Sequence, residues 1–181
     1  MIKKWTFLNR ENILDHPRMK VVKDTVELPT GERIQYIREK PTDNASVAII
    51  AINDNNELLL QQEYSYPPNE IMYQLPGDAT NANEDIIEAA NRELSEESGY
   101  IGKKCEVIGS FYLNNRRSDR KQYVVVCREL QEQKGRTDSE EFIDNEWMSV
   151  DILQSKVRKG EIVNINLLAA LQLYGASILD T

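Results

Sequence analysis

The sequence predicts an α+β fold, a mixed β-sheet flanked by helices with a small N-terminal β-hairpin segment. Three observations carry this. Short apolar and β-branched runs are joined by tight turns, they alternate irregularly with helical stretches, and one gap-free helical pattern ends at a glycine. A regular strand-helix alternation, which a doubly wound parallel sheet needs, is missing. At 181 residues the chain suits one compact domain with an added segment. We place the division at residues 1–43, an N-terminal β segment, and 44–181, the main domain.

The elements follow in order. Thr25 to Arg38 has two extended stretches around Pro29-Thr30-Gly31, the pattern of a hairpin. Such a hairpin is marginal alone, so it must pack on the main domain or on a second subunit. After Pro41-Thr42-Asp43-Asn44, the run Ala45–Ile52 is a strand, Asp54-Asn55-Asn56 a turn, and Leu58-Leu59-Leu60 a second strand. Ile71 to Leu75 is extended and ends at Pro76-Gly77, with a loop over Asp78–Asn83. Glu84 to Ser98 lacks Gly and Pro and spaces Ile87, Ala90 and Leu94 for one helical face, and Gly99 stops it. Cys105–Leu113 and Lys121–Glu129 read as strands around the basic loop Asn114–Arg120. Glu146–Val150 is a short strand, Val150–Arg158 a helix, and Asn164–Tyr174 a last helix.

Composition narrows the function. With 40% hydrophobic and 29% charged residues the chain can bury a core. Its net charge of −8 argues against gripping long nucleic acid through the overall field. No apolar stretch suits a membrane span. Cys105 and Cys127 fit neither a disulfide framework nor a C-x-x-C metal clamp, so they are expected as buried free thiols of a reducing compartment, and the protein as cytoplasmic. His16, the only histidine, precedes Pro17 and reads as structural or surface.

The chemistry concentrates on the central helix. Glu93, Glu96 and Glu97 stand at i, i+3 and i+4, which puts three carboxylates on one face. Crowded like charges call for a cation. A divalent metal, Mg²⁺ or Mn²⁺, suits the oxygen donors; Arg92 is the alternative, and a plainly solvated acidic face the third reading.

Written out, Glu84-x7-Arg92-Glu93-Leu94-x-Glu96-Glu97-x-Gly99-Tyr100 resembles the Nudix box, G-x5-E-x7-R-E-U-x-E-E-x-G-U, where U is apolar. One position departs: the opening glycine falls at Asp78, and a glycine stands one residue earlier, at Gly77. Either the loop is shifted by one residue, or Asp78 fills a place where the backbone often needs freedom. The resemblance implies a Nudix α/β/α sandwich. It implies Glu93, Glu96 and Glu97 as metal-binding carboxylates, Glu97 also as catalytic, Gly77 as a carbonyl ligand, and Glu84 with Arg92 as a structural ion pair.

The segments Leu60–Pro67 and Tyr73–Gly77 resemble the ADP-ribose pyrophosphatase and nucleotide-sugar hydrolase branch. That resemblance implies Mg²⁺-dependent cleavage of a nucleoside diphosphate sugar such as ADP-ribose, and a homodimer built by the N-terminal segment. Tyr64 or Tyr66 would stack on a base, or else be ordinary core or strand surface. Glu140 or Glu141 would supply a further catalytic carboxylate. Arg116, Arg117 and Arg120 would meet phosphate, or form a solvated basic turn. The proline that marks many ADP-ribose hydrolases downstream of the box is absent from this loop. Two alternatives therefore stand beside the first reading: hydrolysis of nucleoside triphosphates or dinucleoside polyphosphates, and a non-catalytic module that binds a nucleotide sugar.

Overall fold

The structure is a computed structural model and describes residues 1–133 and 142–179. The chain divides into two compact units, Met1–Thr42 with Tyr112–Arg120, and Asp43–Phe111 with Lys121–Thr181.

The first unit is a three-stranded antiparallel sheet in the order β1 (Thr6–His16), β2 (Met19–Glu27), β3 (Arg33–Glu39). The expected hairpin is its β2–β3 half, turned at Gly31 with φ of 86°. Strand β1 was not anticipated, and its register explains why. Irregularities between Phe7 and Asn9 and between Asn12 and Leu14 break the two-residue alternation from which a strand is read. Its Arg10 Nε and Nη2 donate to the two carboxylate oxygens of buried Asp24, at 2.6 and 2.8 Å. That hydrogen-bonded guanidinium holds the Asp24 carboxyl below its ordinary range. The basic loop packs here too, with the Arg117 carbonyl accepting from Glu39 N at 2.8 Å.

The second unit holds two three-stranded sheets. One has the order β4 (Ser46–Ala51), β8 (Lys121–Glu132), β7 (Tyr100–Tyr112), with β4 and β8 parallel. The other is antiparallel with β5 (Glu57–Ser65) between β6 (Glu70–Gln74) and β9 (Asp144–Ser149). Every residue of β4 is buried, which is why its sequence is apolar throughout rather than alternating. Val47, Ile49 and Ala51 pack with Ala90 and Leu94 of α1 (Ile86–Ser98). Ala48 and Ile50 join the opposite cluster, with Leu153 of α2 (Val150–Arg158) and Leu167 and Ala170 of α3 (Ile165–Leu179). Helices thus cover both sides of β4, the expected mixed α+β architecture. Among the described residues no helix is long and apolar enough to cross a membrane.

The cysteines require a correction. Cys105 and Cys127 form a disulfide, with Cα atoms 4.2 Å apart. They sit on neighbouring strands β7 and β8, and a 22-residue sequence separation gives no hint of a cross-strand contact. The compartment argument drawn from free thiols therefore loses its basis.

Candidate active site

Helix α1 is built to present its acids. Asp85 caps it, its side chain accepting from Ile87 N at 2.8 Å and Glu88 N at 3.3 Å, and Gly99 closes it with φ of 76°. Because the cap is Asp85, Glu84 lies just outside the helix. Its carboxylate accepts from Asn81 N at 2.7 Å, which ties it to the preceding loop.

Arg92 is the hub of one half of the site. Its Nε and Nη2 donate to the two Glu84 oxygens at 2.8 and 2.9 Å. Its Nη1 reaches Glu93 Oε1 at 2.6 Å and Glu96 Oε2 at 3.1 Å, and Nη2 also meets the Ala79 carbonyl at 3.3 Å. One planar guanidinium thereby braces the loop against the helix and offsets two of the crowded carboxylates. The Arg92 hydrogen bonds, with help from Asn81, lower the Glu84 pKa to about 2. Glu93 moves the other way: it is 7% exposed, and burial, aided by nearby Asp78 and Glu96, raises its pKa despite Arg92.

The other half centres on Glu97. Its Oε2 accepts from Gln61 Nε2 of β5 at 3.1 Å and from Gly77 N at 3.0 Å. Its main-chain carbonyl accepts from Asn145 Nδ2 of β9 at 3.0 Å. Glu93 and Glu96 are thus held by Arg92, and Glu97 by the sheet. With the acids divided in this way, no group of three His, Cys, Asp or Glu converges as a ready metal cage among the described residues.

Gly77 explains the departure in the box. Its φ is 124°, and a Cβ there would come within 2.3 Å of the Val47 carbonyl oxygen. Asp78 is not among the positive-φ residues. The need for glycine has moved one place, and Asp78 stands exposed without backbone strain. The carbonyls of Pro76 and Asp78 accept from Ile49 N and Val47 N, so the Gly77 carbonyl is not used in that pairing.

The remaining candidates lie elsewhere. Tyr64 is half exposed and donates to Asn69 Oδ1 at 2.9 Å; three residues from Gln61 along β5, it stands on the opposite face of the strand. Tyr66 is 81% exposed in the turn after β5. The arginine loop belongs to the first unit. There Arg117 lies over the Tyr36 ring at 5.3 Å and donates to the Ile37 carbonyl at 3.0 Å, and Tyr36 Oη donates to the Arg116 carbonyl. Tyr36, Arg38, Tyr112, Arg116 and Arg117 line a cavity of about 280 Å³ in that unit. Arg120 donates its main-chain N–H to Ser118 Oγ at 3.3 Å. Glu140 and Glu141 fall outside the described residues. Gln61 and Asn145 were not singled out from sequence. A visible signal existed for Gln61, a polar side chain directly after Leu58-Leu59-Leu60, whereas Asn145 gave none.

Comparison with known proteins supplies the family. The chain is 26% identical over 165 residues to an ADP-ribose pyrophosphatase of Bacillus subtilis, covering 90% of this chain and 88% of that one. It is also 26% identical over 167 residues to a methanol dehydrogenase activator of Bacillus methanolicus, covering 91% and 89%. The crystal structure of an ADP compounds hydrolase superposes with a TM-score of 0.91 at 23% identity, over 99% of this chain and 97% of that one, a likeness of fold. The NUDIX domain description matches residues 42–171, a span that includes all of α1 and its preceding loop. Since that match takes in most of the chain and the whole carboxylate face, the protein belongs to the NUDIX domain family.

Proposed function

We propose that this chain is a Nudix pyrophosphohydrolase that uses Mg²⁺, or Mn²⁺, to cleave the pyrophosphate of ADP-ribose or a related nucleoside diphosphate sugar. Water adds to one phosphorus, the bridging P–O bond breaks, and a nucleoside monophosphate and a sugar phosphate leave. The observation that carries this reading is the α1 face, where Glu93, Glu96 and Glu97 are kept ordered although their charges repel. The name of the B. subtilis relative supports the substrate class.

The residues fit a hard divalent cation. All the donors are carboxylate or carbonyl oxygens, and Mg²⁺ is usually held by one or two carboxylates together with waters and substrate phosphates, so a closed protein cage is not required. Glu93, Glu96 and Glu97 would hold it, with Gly77 offering its carbonyl. The metal supplies charge neutralisation at phosphorus and an acidified water. The chain's own part is positional. Arg92 keeps Glu93 and Glu96 in place by tying them to Glu84, and Gln61 with the Gly77 amide orients Glu97.

We extend the reading to a homodimer acting on a free nucleotide, not on nucleic acid. The N-terminal sheet supports the dimer, since Ile13, Leu14, Met19 and Ile37 leave about half of their surface exposed there. Light scattering showing only monomer would refute it.

The test of function is product analysis of the purified protein with Mg²⁺ or Mn²⁺. The substrates are ADP-ribose, other nucleotide sugars, nucleoside triphosphates and a diadenosine polyphosphate, with Glu97→Gln as control. AMP and ribose 5-phosphate from ADP-ribose, absent with the variant, are expected. Preference for a triphosphate or dinucleoside polyphosphate would move the substrate assignment, and unchanged turnover by Glu97→Gln would overturn the metal assignment.

A further inference from the structure

Strand β5 carries an anomaly on the side it turns toward α1. Leu59 and Gln61 alternate onto the same face, and Leu59 belongs to the cluster that packs α1. Gln61 has no exposed surface. Its Nε2 donates to Glu97 Oε2, while its Oε1 is buried and has no hydrogen-bond partner among the described residues. A carboxylate only accepts, so the amide must present Nε2 to Glu97; turned over, it would set two acceptors against each other. A buried amide that leaves its acceptor unpaired burdens the fold, and an apolar side chain of the same length would pack there without that penalty. The stability of the core does not explain this residue.

The placement does. Gln61 sits mid-strand, in register with Gln74 of β6 on one side and Asn145 of β9 on the other. The flexible Glu97 side chain is therefore hung from the most constrained strand of its sheet. The second donor to the same oxygen, Gly77 N, sits in a backbone turn that tolerates no side chain. Asn145 secures the main chain of the same glutamate. Arg92 performs the equivalent service for Glu93 and Glu96.

We propose that Gln61 is a positioning residue that pre-orients Glu97 for cation binding, retained at the expense of core packing. The inference rests on the reading of Glu97 as a metal-binding carboxylate. Outer partners that orient a ligand set its affinity for metal as well as turnover, because the ordering is then done before the cation arrives.

The test uses Gln61→Met, which keeps the length and removes both polar atoms, and Gln61→Leu as a second variant. Mn²⁺ binding to the full chain is followed by titration calorimetry and by electron paramagnetic resonance, thermal midpoints by circular dichroism, and kcat and KM on ADP-ribose. The expected result is a thermal midpoint equal to or above wild type, Mn²⁺ affinity weakened roughly tenfold or more, and kcat reduced with KM little changed. A merely structural glutamine would move the midpoint downward and leave Mn²⁺ binding alone. Folded variants that bind Mn²⁺ as wild type does would overturn the inference while leaving the proposed hydrolysis standing. Weakened Mn²⁺ binding with a wild-type chain that cleaves no nucleotide would do the reverse. Loss of fold in both variants, or a wild-type chain that binds no Mn²⁺, would also overturn it.

Discussion

The Glu84–Arg92 pair offers a quantitative test of how the box is held together. Glu84→Gln keeps the shape and an acceptor oxygen for Asn81 but removes the charge. Lowering a glutamate from its ordinary 4.5 to about 2 corresponds to about 3 kcal/mol of folded-state stabilisation. The Arg92 side chain is 29% exposed, so water screens the pair and ~1–2 kcal/mol is the expected net loss at neutral pH. For a chain of this size that lowers the thermal midpoint by about 3–6 °C. The sign in pH follows from the lowered pKa. The contribution is complete above 4.5, where both folded and unfolded Glu84 are ionised, and it fades as pH falls toward about 2, because the unfolded chain takes up its proton first. Urea denaturation of wild type and Glu84→Gln between pH 2 and 7 reads this directly. The two stability curves should run apart at neutral pH and meet at the acid end. Equal stability at pH 7, or a gap that stays constant into acid, would refute the assignment of Glu84 as the ionised partner of Arg92.

Further outcomes follow from other parts of the structure. Gly77→Ala must both adopt φ of 124° and push against the Val47 carbonyl, so a loss of about 2 kcal/mol or more is expected by urea denaturation. Asp78→Gly, at an exposed position without positive φ, should alter stability by less than about 1 kcal/mol, and a larger fall would show that the side chain has a structural task. Thiol titration of the denatured, unreduced protein should find neither Cys105 nor Cys127 reactive; two reactive thiols per chain would contradict the bond. Asp24→Asn leaves Arg10 without its counter-charge, and because the Arg10 side chain is 32% exposed and screened by water the expected cost at pH 7 is ~1–2 kcal/mol. Since the Asp24 carboxyl lies below its ordinary 3.8, that difference should persist above this pH and shrink below it in the same denaturation series.

Much of the fold is legible in local pattern because its signals lie within single elements. An unbroken apolar run marks β4 as a strand of the core, and a Gly stop marks the end of α1, whereas its start at Ile86 behind the Asp85 cap, two residues later than the pattern suggests, is seen only in the structure. Strand β1 escapes the same reading because its irregularities destroy the period that reports a strand. In the candidate site, the carboxylates share one helix, so the 3.6-residue period alone puts Glu93, Glu96 and Glu97 on a common face. The glycine requirement at 77 was open in the sequence, since only the approach of the Val47 carbonyl identifies which residue must lack a Cβ.

By itself the sequence determined the α+β class, the acidic face of α1, and the glycine stop that ends it, all consequences of spacing within a few turns of chain. Tertiary structure alone decided what holds that face. Gln61 and Asn145 reach Glu97 from strands 36 and 48 residues away, the cysteines meet across neighbouring strands, and the arginine loop packs with the N-terminal sheet. The physical reason is that side-chain periodicity reports only a residue's own element, whereas which partners meet is set by strand order and register.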